Sequence, residues 1–61
     1  MLDLNELKTA MDNGQVDREQ VRVVIRDGQI VDFLTNSDSP REDEEIRVMP
    51  LIEVLSDIFE I

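Results

Sequence analysis

Apolar and polar positions along this chain follow three rhythms, and each predicts a different kind of segment. In Pro50–Ile61, PLIEVLSDIFEI, the adjacent apolar pairs Leu51/Ile52, Val54/Leu55 and Ile58/Phe59 break any period of two. At about 100° per residue the same side chains, with Ile61, fill one half of a cylinder, and Glu53, Ser56, Asp57 and Glu60 fall opposite. The spacing predicts an amphipathic helix with Pro50 at its first position, N1. Its apolar arc of about 180° is wider than the roughly 100° a surface helix needs. The surplus on the flanks, at Ile52, Phe59 and Ile61, is expected to extend into a subunit interface.

The same helical period, with a narrower stripe, runs through Asp3–Asp12. Leu4, Leu7 and Met11 line up, with Ala10 at their edge. Asp3 is placed as N-cap, Glu6 three residues later completes a capping box, and Leu2 and Leu7 occupy the two positions of a hydrophobic staple. Lys8 and Asp12 form an i,i+4 pair, and Asn13-Gly14 supplies the stop, with Gly14 free to turn left-handed.

The middle of the chain changes period. Val16, Asp17, Gln20 and Val21 fit a staple and capping box that would open a second helix at Arg18. Against this stands VRVVI, Val21–Ile25, whose β-branched side chains lose rotamer freedom in a helix and suit a strand. A β-hairpin turning at Asp27-Gly28 and returning through Gln29–Thr35 is preferred, with room for one helical turn at Asp17–Gln20. A two-residue turn would pair Ile25 with Ile30 and place Asp32 opposite Val23, on an apolar face. A three-residue loop, Arg26-Asp27-Gly28, pairs Ile25 with Gln29, Val23 with Val31, Val21 with Phe33 and Arg22 with Asp32 instead. The second register gathers the core and matches charges, and is the one expected. It leaves Val24, Ile30 and Leu34 on a second face, too apolar for solvent, which a helix or a partner is expected to cover.

Asn36–Glu45, NSDSPREDEE, has no apolar rhythm. Ser39, Pro40 and Glu42 fit one turn of helix, as N-cap, N1 and N3. Ile46–Met49 reads as a short third strand ended by Pro50. The expected fold is a single small α+β domain over residues 1–61. A three-stranded antiparallel sheet, the hairpin plus a short strand, packs with an N-terminal and a C-terminal helix in the order α-β-β-β-α.

Composition narrows the function. At 61 residues folding buries only about 60% of the unfolded surface, and such a core supplies roughly 3–5 kcal/mol. Self-association is a common remedy, so a homodimer is expected, to which Met1, Met11 or Met49 could add contact although core filling is the simpler role for them. With no Cys and no His, the chain has neither disulfides nor the commonest base and metal ligand. No signal peptide or membrane span is expected, and the cytoplasm is the default compartment. Fifteen acidic against six basic residues give a formal charge of −9. That disfavours direct contact with nucleic acid or anionic lipid and favours a partner protein with a basic surface. Adaptation to high salt would leave the same acidity.

Two acidic groups are candidates for that contact: Asp38, Glu42, Asp43, Glu44 and Glu45 in the polar segment, and Glu53, Asp57 and Glu60 on the last helix. Their plainest role is solvation. No metal is expected, because the EF-hand pattern is missing around both Gly14 and Gly28. No cofactor and no catalytic residue is expected either. There is no nucleophile–base pair, no phosphate-cradling glycine loop, and too little chain for a pocket of about 300 Å³. The expected function is non-catalytic: an acidic interaction module of inhibitor or adaptor type, suited to a phage or mobile element, in one form a nucleic-acid mimic. The alternative is a self-assembling homodimer joined through the last helix and the second sheet face, at Ile52, Phe59, Ile61, Val24, Ile30 and Leu34.

Overall fold

A computed structural model describes residues 2–61. Its elements are α1 (Leu4–Asp12), β1 (Val21–Arg26), β2 (Gln29–Leu34), β3 (Glu45–Met49) and α2 (Leu51–Phe59). The fold is α+β, with three antiparallel strands in the spatial order β2-β1-β3. Met1 lies outside the described residues. Met49 is 7% exposed and belongs to the core, and Met11 packs against it.

The ends of α1 follow from local chemistry. The Asp3 carboxylate accepts from the amides of Asn5 (2.9 Å) and Glu6 (3.3 Å), satisfying donors that the first turn leaves open. Leu2 and Leu7, the two ends of the staple, are both buried. At the far end Gly14 takes φ +74°, its amide donates to the Met11 carbonyl (3.1 Å), and the Gln15 amide donates to the Ala10 carbonyl (2.8 Å). These are the two bonds of a Schellman motif, which needs a residue that tolerates the left-handed region. No second helix follows. Asp17 and Gln20 bridge across a tight turn, and the Asp17 carboxylate accepts from the Glu19 amide at 2.9 Å.

The hairpin corrects the expected register. Asp27 (φ +54°) and Gly28 (φ +77°) are both left-handed, which makes a two-residue turn, and Arg26 pairs with Gln29 and Ile25 with Ile30. The objection to this turn was that Asp32 would face Val23. An irregularity between Val24 and Ile25 removes it. Val31 is the extra residue, so that Asp32 pairs with Val24 and Phe33 with Val23. The bulge thus turns the Asp32 carboxylate away from the core. It also moves Ile30 to the core side, correcting its placement beside Val24 and Leu34.

Both helices pack on the face of β1 that carries Val21, Val23 and Ile25. With Leu2, Leu7, Ala10, Val16, Met49 and Val54 these residues form the core, and Leu51, Ile58 and Phe33 pack against it. α2 follows β3 but lies against β2, so it passes across the sheet. Pro50 stands one position earlier than expected, as an extended N-cap with no side-chain bond (φ −69°, ψ 156°). The Arg18 carbonyl accepts from the Leu51 amide at 2.7 Å and fixes the start of the helix.

The strand order imposes one further feature. The connection Thr35–Glu44 must pass from the β2 edge to the β3 edge, across two strand spacings or about 10 Å, and travel back along the sheet. Its start is tied to the turn after α1, where the Asn36 amide donates to the Gln15 carbonyl at 2.8 Å, and from there it crosses the face away from the helices. Arg22 on that face donates to the carbonyls of Thr35 and of Asp38 (3.1 Å). Val24 is only 3% exposed although it stands outside the core cluster. The second face is therefore covered over Val24 by the chain's own acidic segment, whereas Val48, opposite Arg22 on the same face, is left 61% exposed. That segment contains no helical turn at Ser39–Glu42. Its ordered turns are Thr35–Asp38, closed by the Asp38 amide on the Thr35 carbonyl (3.0 Å), and Arg41–Glu44, closed by the Glu44 amide on the Arg41 carbonyl (3.2 Å).

Candidate functional site

The acidic residues of the connection separate into two groups. The Asp38 carboxylate accepts from the Thr35 amide (2.9 Å) and hydroxyl (3.0 Å). These two bonds, with a smaller contribution from the Arg22 charge, hold its pKa below the usual aspartate value. Glu44 accepts from the Arg41 amide (3.1 Å), and Glu45 pairs with Arg47 at 3.3 Å. These three carboxylates shape the connection and the start of β3. Glu42 and Asp43 are exposed and make no hydrogen bond or ion pair among the described residues.

On α2 the stripe is bare. Glu53, Asp57 and Glu60 are exposed and unpaired among the described residues, and the helix carries no basic residue. Across the described residues only two carboxylates, Asp12 and Glu45, have a basic partner within 4 Å. Among the described residues no charged side chain is buried. The acidity is therefore almost wholly presented to solvent. Among the described residues no hydrogen bond or ion pair joins the α2 stripe to the connection. The connection instead meets Val24, Ile25 and Arg26 around a groove of about 260 Å³, lined further by Arg41, Asp43, Glu44 and Glu45.

The apolar candidates also divide. Ile52 (75%), Phe59 (57%) and Ile61 (89%) are exposed, as is Val48. Val24 is buried inside the monomer, Ile30 packs against the core, and Leu34 is half-buried. The second sheet face therefore does not offer the continuous apolar surface expected of it, because its own connection lies over it. Arg22, expected to match Asp32 across the hairpin, stands opposite Leu34 instead and binds the connection. An arginine inside a β-branched run, opposite a carbonyl-rich loop, was the available signal.

Concavities are larger than the chain length suggested. A groove of about 330 Å³ beside α1 is lined by Asn5, Glu6, Thr9, Ala10, Gln15, Phe33 and Thr35, and it lies open to solvent. One carboxylate lines it, without a partner for acid–base exchange. Among the described residues no three carboxylates converge as a metal site, and no helix is long and apolar enough to cross a membrane.

The fold and its surface define a class: a small acidic α+β domain whose charge is turned outward. Within that class the family is specific. A family model described as Paratox matches residues 1–59, and the chain belongs to the Paratox family. No curated protein matches it.

Proposed function

We propose that this protein is a non-catalytic, cytoplasmic interaction module that occupies a basic surface of a partner protein, as an inhibitor or adaptor. One observation carries the reading: among the described residues only two carboxylates have a basic neighbour within 4 Å. A surface that needed acidity for solubility alone would gain from interspersed pairs. Here rows of unpaired carboxylates stand on defined elements, at Glu42 and Asp43 of the connection and at Glu53, Asp57 and Glu60 of α2. Such rows present negative charge as a phosphate backbone does, and a protein surface built to hold phosphates is their natural complement.

The test is affinity capture from lysate at low and moderate salt. The expected result is a protein retained at low salt, released as salt rises, and lost when Glu42, Asp43, Glu53 and Asp57 are changed to Gln or Asn. Absence of any salt-sensitive partner overturns the reading. The exposure of Ile52, Phe59 and Ile61 favours a second reading, a homodimer joined through α2. Light scattering on the unmodified chain distinguishes the two.

A further inference from the structure

Ile52, Phe59 and Ile61 are the most exposed large apolar side chains beside Val48; Ile52 and Phe59 belong to one flank of α2, and Ile61 lies two residues beyond its end. Ile52 and Phe59 are seven residues apart on α2, so they lie within about 20° of each other around the helix and about 10 Å apart along it. Ser56 stands beside them. Leu55, half-buried, continues the strip inward to the core. Past the helix end Glu60 turns left-handed (φ +58°), the Ile61 amide donates to the Ser56 carbonyl at 3.1 Å, and the Ile61 side chain is left 89% exposed. This is an ordered apolar strip two helical turns long, not a scatter of single residues.

The electrostatics beside the strip run against the rules for an isolated helix. Glu53 and Asp57 are a like-charged i,i+4 pair, and Asp57 and Glu60 stand at the negative end of the helix dipole. No basic residue lies in the last turn. A helix that has to be stable alone does better with cations there. The strip and its carboxylates together are complementary to a surface with apolar anchors and a cationic margin.

That complementarity selects the occupant. A second copy would bring another formal −9 and, across a two-fold axis, the same carboxylates against themselves. Resting on the acidic-module reading above, we infer that the outer flank of α2 docks a basic amphipathic helix of a partner protein. Its apolar residues, spaced over two turns, cover Ile52, Phe59 and Ile61, and its Lys or Arg margin meets Glu53, Asp57 and Glu60. Helix-on-helix docking of this kind reads anchors at i, i+4 and i+7.

The probe is a synthetic leucine–lysine peptide of about 14 residues with its leucines on one helical face, titrated into the isotopically labelled full chain at about 150 mM salt. A peptide of the same composition in scrambled order is the control. The expected result is saturable binding with amide shifts concentrated in residues 51–61. The Ile52→Ser, Ile61→Ser double variant should bind at least about tenfold more weakly, because two exposed anchors are lost without touching the core. Glu42→Gln with Asp43→Asn should change affinity by less than about twofold. Equal binding of the scrambled peptide, or shifts confined to residues 38–45, overturns the inference and leaves the acidic-module reading standing. A dimer of the free chain that Ile52→Ser dissolves overturns it in favour of self-association. Failure of both peptides to bind anywhere, even at low salt, overturns both.

Discussion

Arg22 and Asp38 hold the second face of the sheet closed. The Arg22 guanidinium binds two carbonyls of the connection, and the Asp38 carboxylate binds the amide and hydroxyl of Thr35. The Thr35 amide bond, then the hydroxyl bond, favour the ionised carboxylate, so the folded pKa lies below the unfolded value of about 3.9. The associated stabilisation is complete above that unfolded value and is lost as pH falls through the folded one. An NMR pH titration should therefore show the Thr35 amide resonance moving with a midpoint below about 3.9, together with faster exchange of that amide at the acid end. In Asp38→Asn the acid-dependent movement should disappear.

At the scale of elements, α1 was legible in the sequence because its signals are local: a cap, a staple and a Gly stop lie within a few residues of the helix they bound, although of the expected capping box only the Asp3 half forms among the described residues. β1 and β3 were legible from β-branched content and from Pro50. The register was not. A period-two pattern offers two regular pairings, each forced by a turn, whereas the chain combines the favoured Asp27-Gly28 turn with a bulge at Val31. A bulge satisfies the turn and the core together, and it leaves no mark in a period-two pattern. The helical turn at Ser39–Glu42 failed for a different reason. Capping residues stop a helix from fraying, but no apolar stripe was present there to hold one against the core. The acidic candidates were legible as residues, yet their division into structural and free carboxylates depends on contacts that only the fold creates.

α2 is two residues shorter than its apolar pattern, because Glu60 takes the left-handed conformation that ends it. A non-glycine residue there is strained by about 1–2 kcal/mol. Glu60 also sets a negative charge at the negative end of the helix. Glu60→Gly relieves both. The expected outcome is a gain of about 0.5–1 kcal/mol in urea unfolding, with the slope unchanged.

For the molecule as a whole, the extents of 30 × 29 × 18 Å describe a slab. One sheet carries two helices on one side and a polypeptide cover on the other. A formal charge of −9 spread over so thin a body repels itself. Repulsion between exposed charges farther apart than the Debye length, about 10 Å at 0.1 M salt, is largely screened, and the length shortens as salt rises. Raising sodium chloride from about 20 mM to about 500 mM should accordingly raise the Tm followed by circular dichroism. A fall in Tm would mean that the Lys8–Asp12 and Glu45–Arg47 pairs outweigh the repulsion, against the excess of unpaired carboxylates found here.

The crossing connection bears on how this protein can be handled. Surface loops ordinarily accept an inserted epitope or fluorophore at little cost, and Asn36–Glu44 reads like the obvious splice point: polar, acidic and without regular structure. In this fold it is the lining of the sheet. An insertion there would lift the backbone from Val24 and separate Arg22 from its two carbonyls, stripping one side of the central strand. The segment with the composition of a spacer is thus a structural layer, and a label belongs on the exposed face of α1 at Lys8, outside the groove that α1 shares with Thr35.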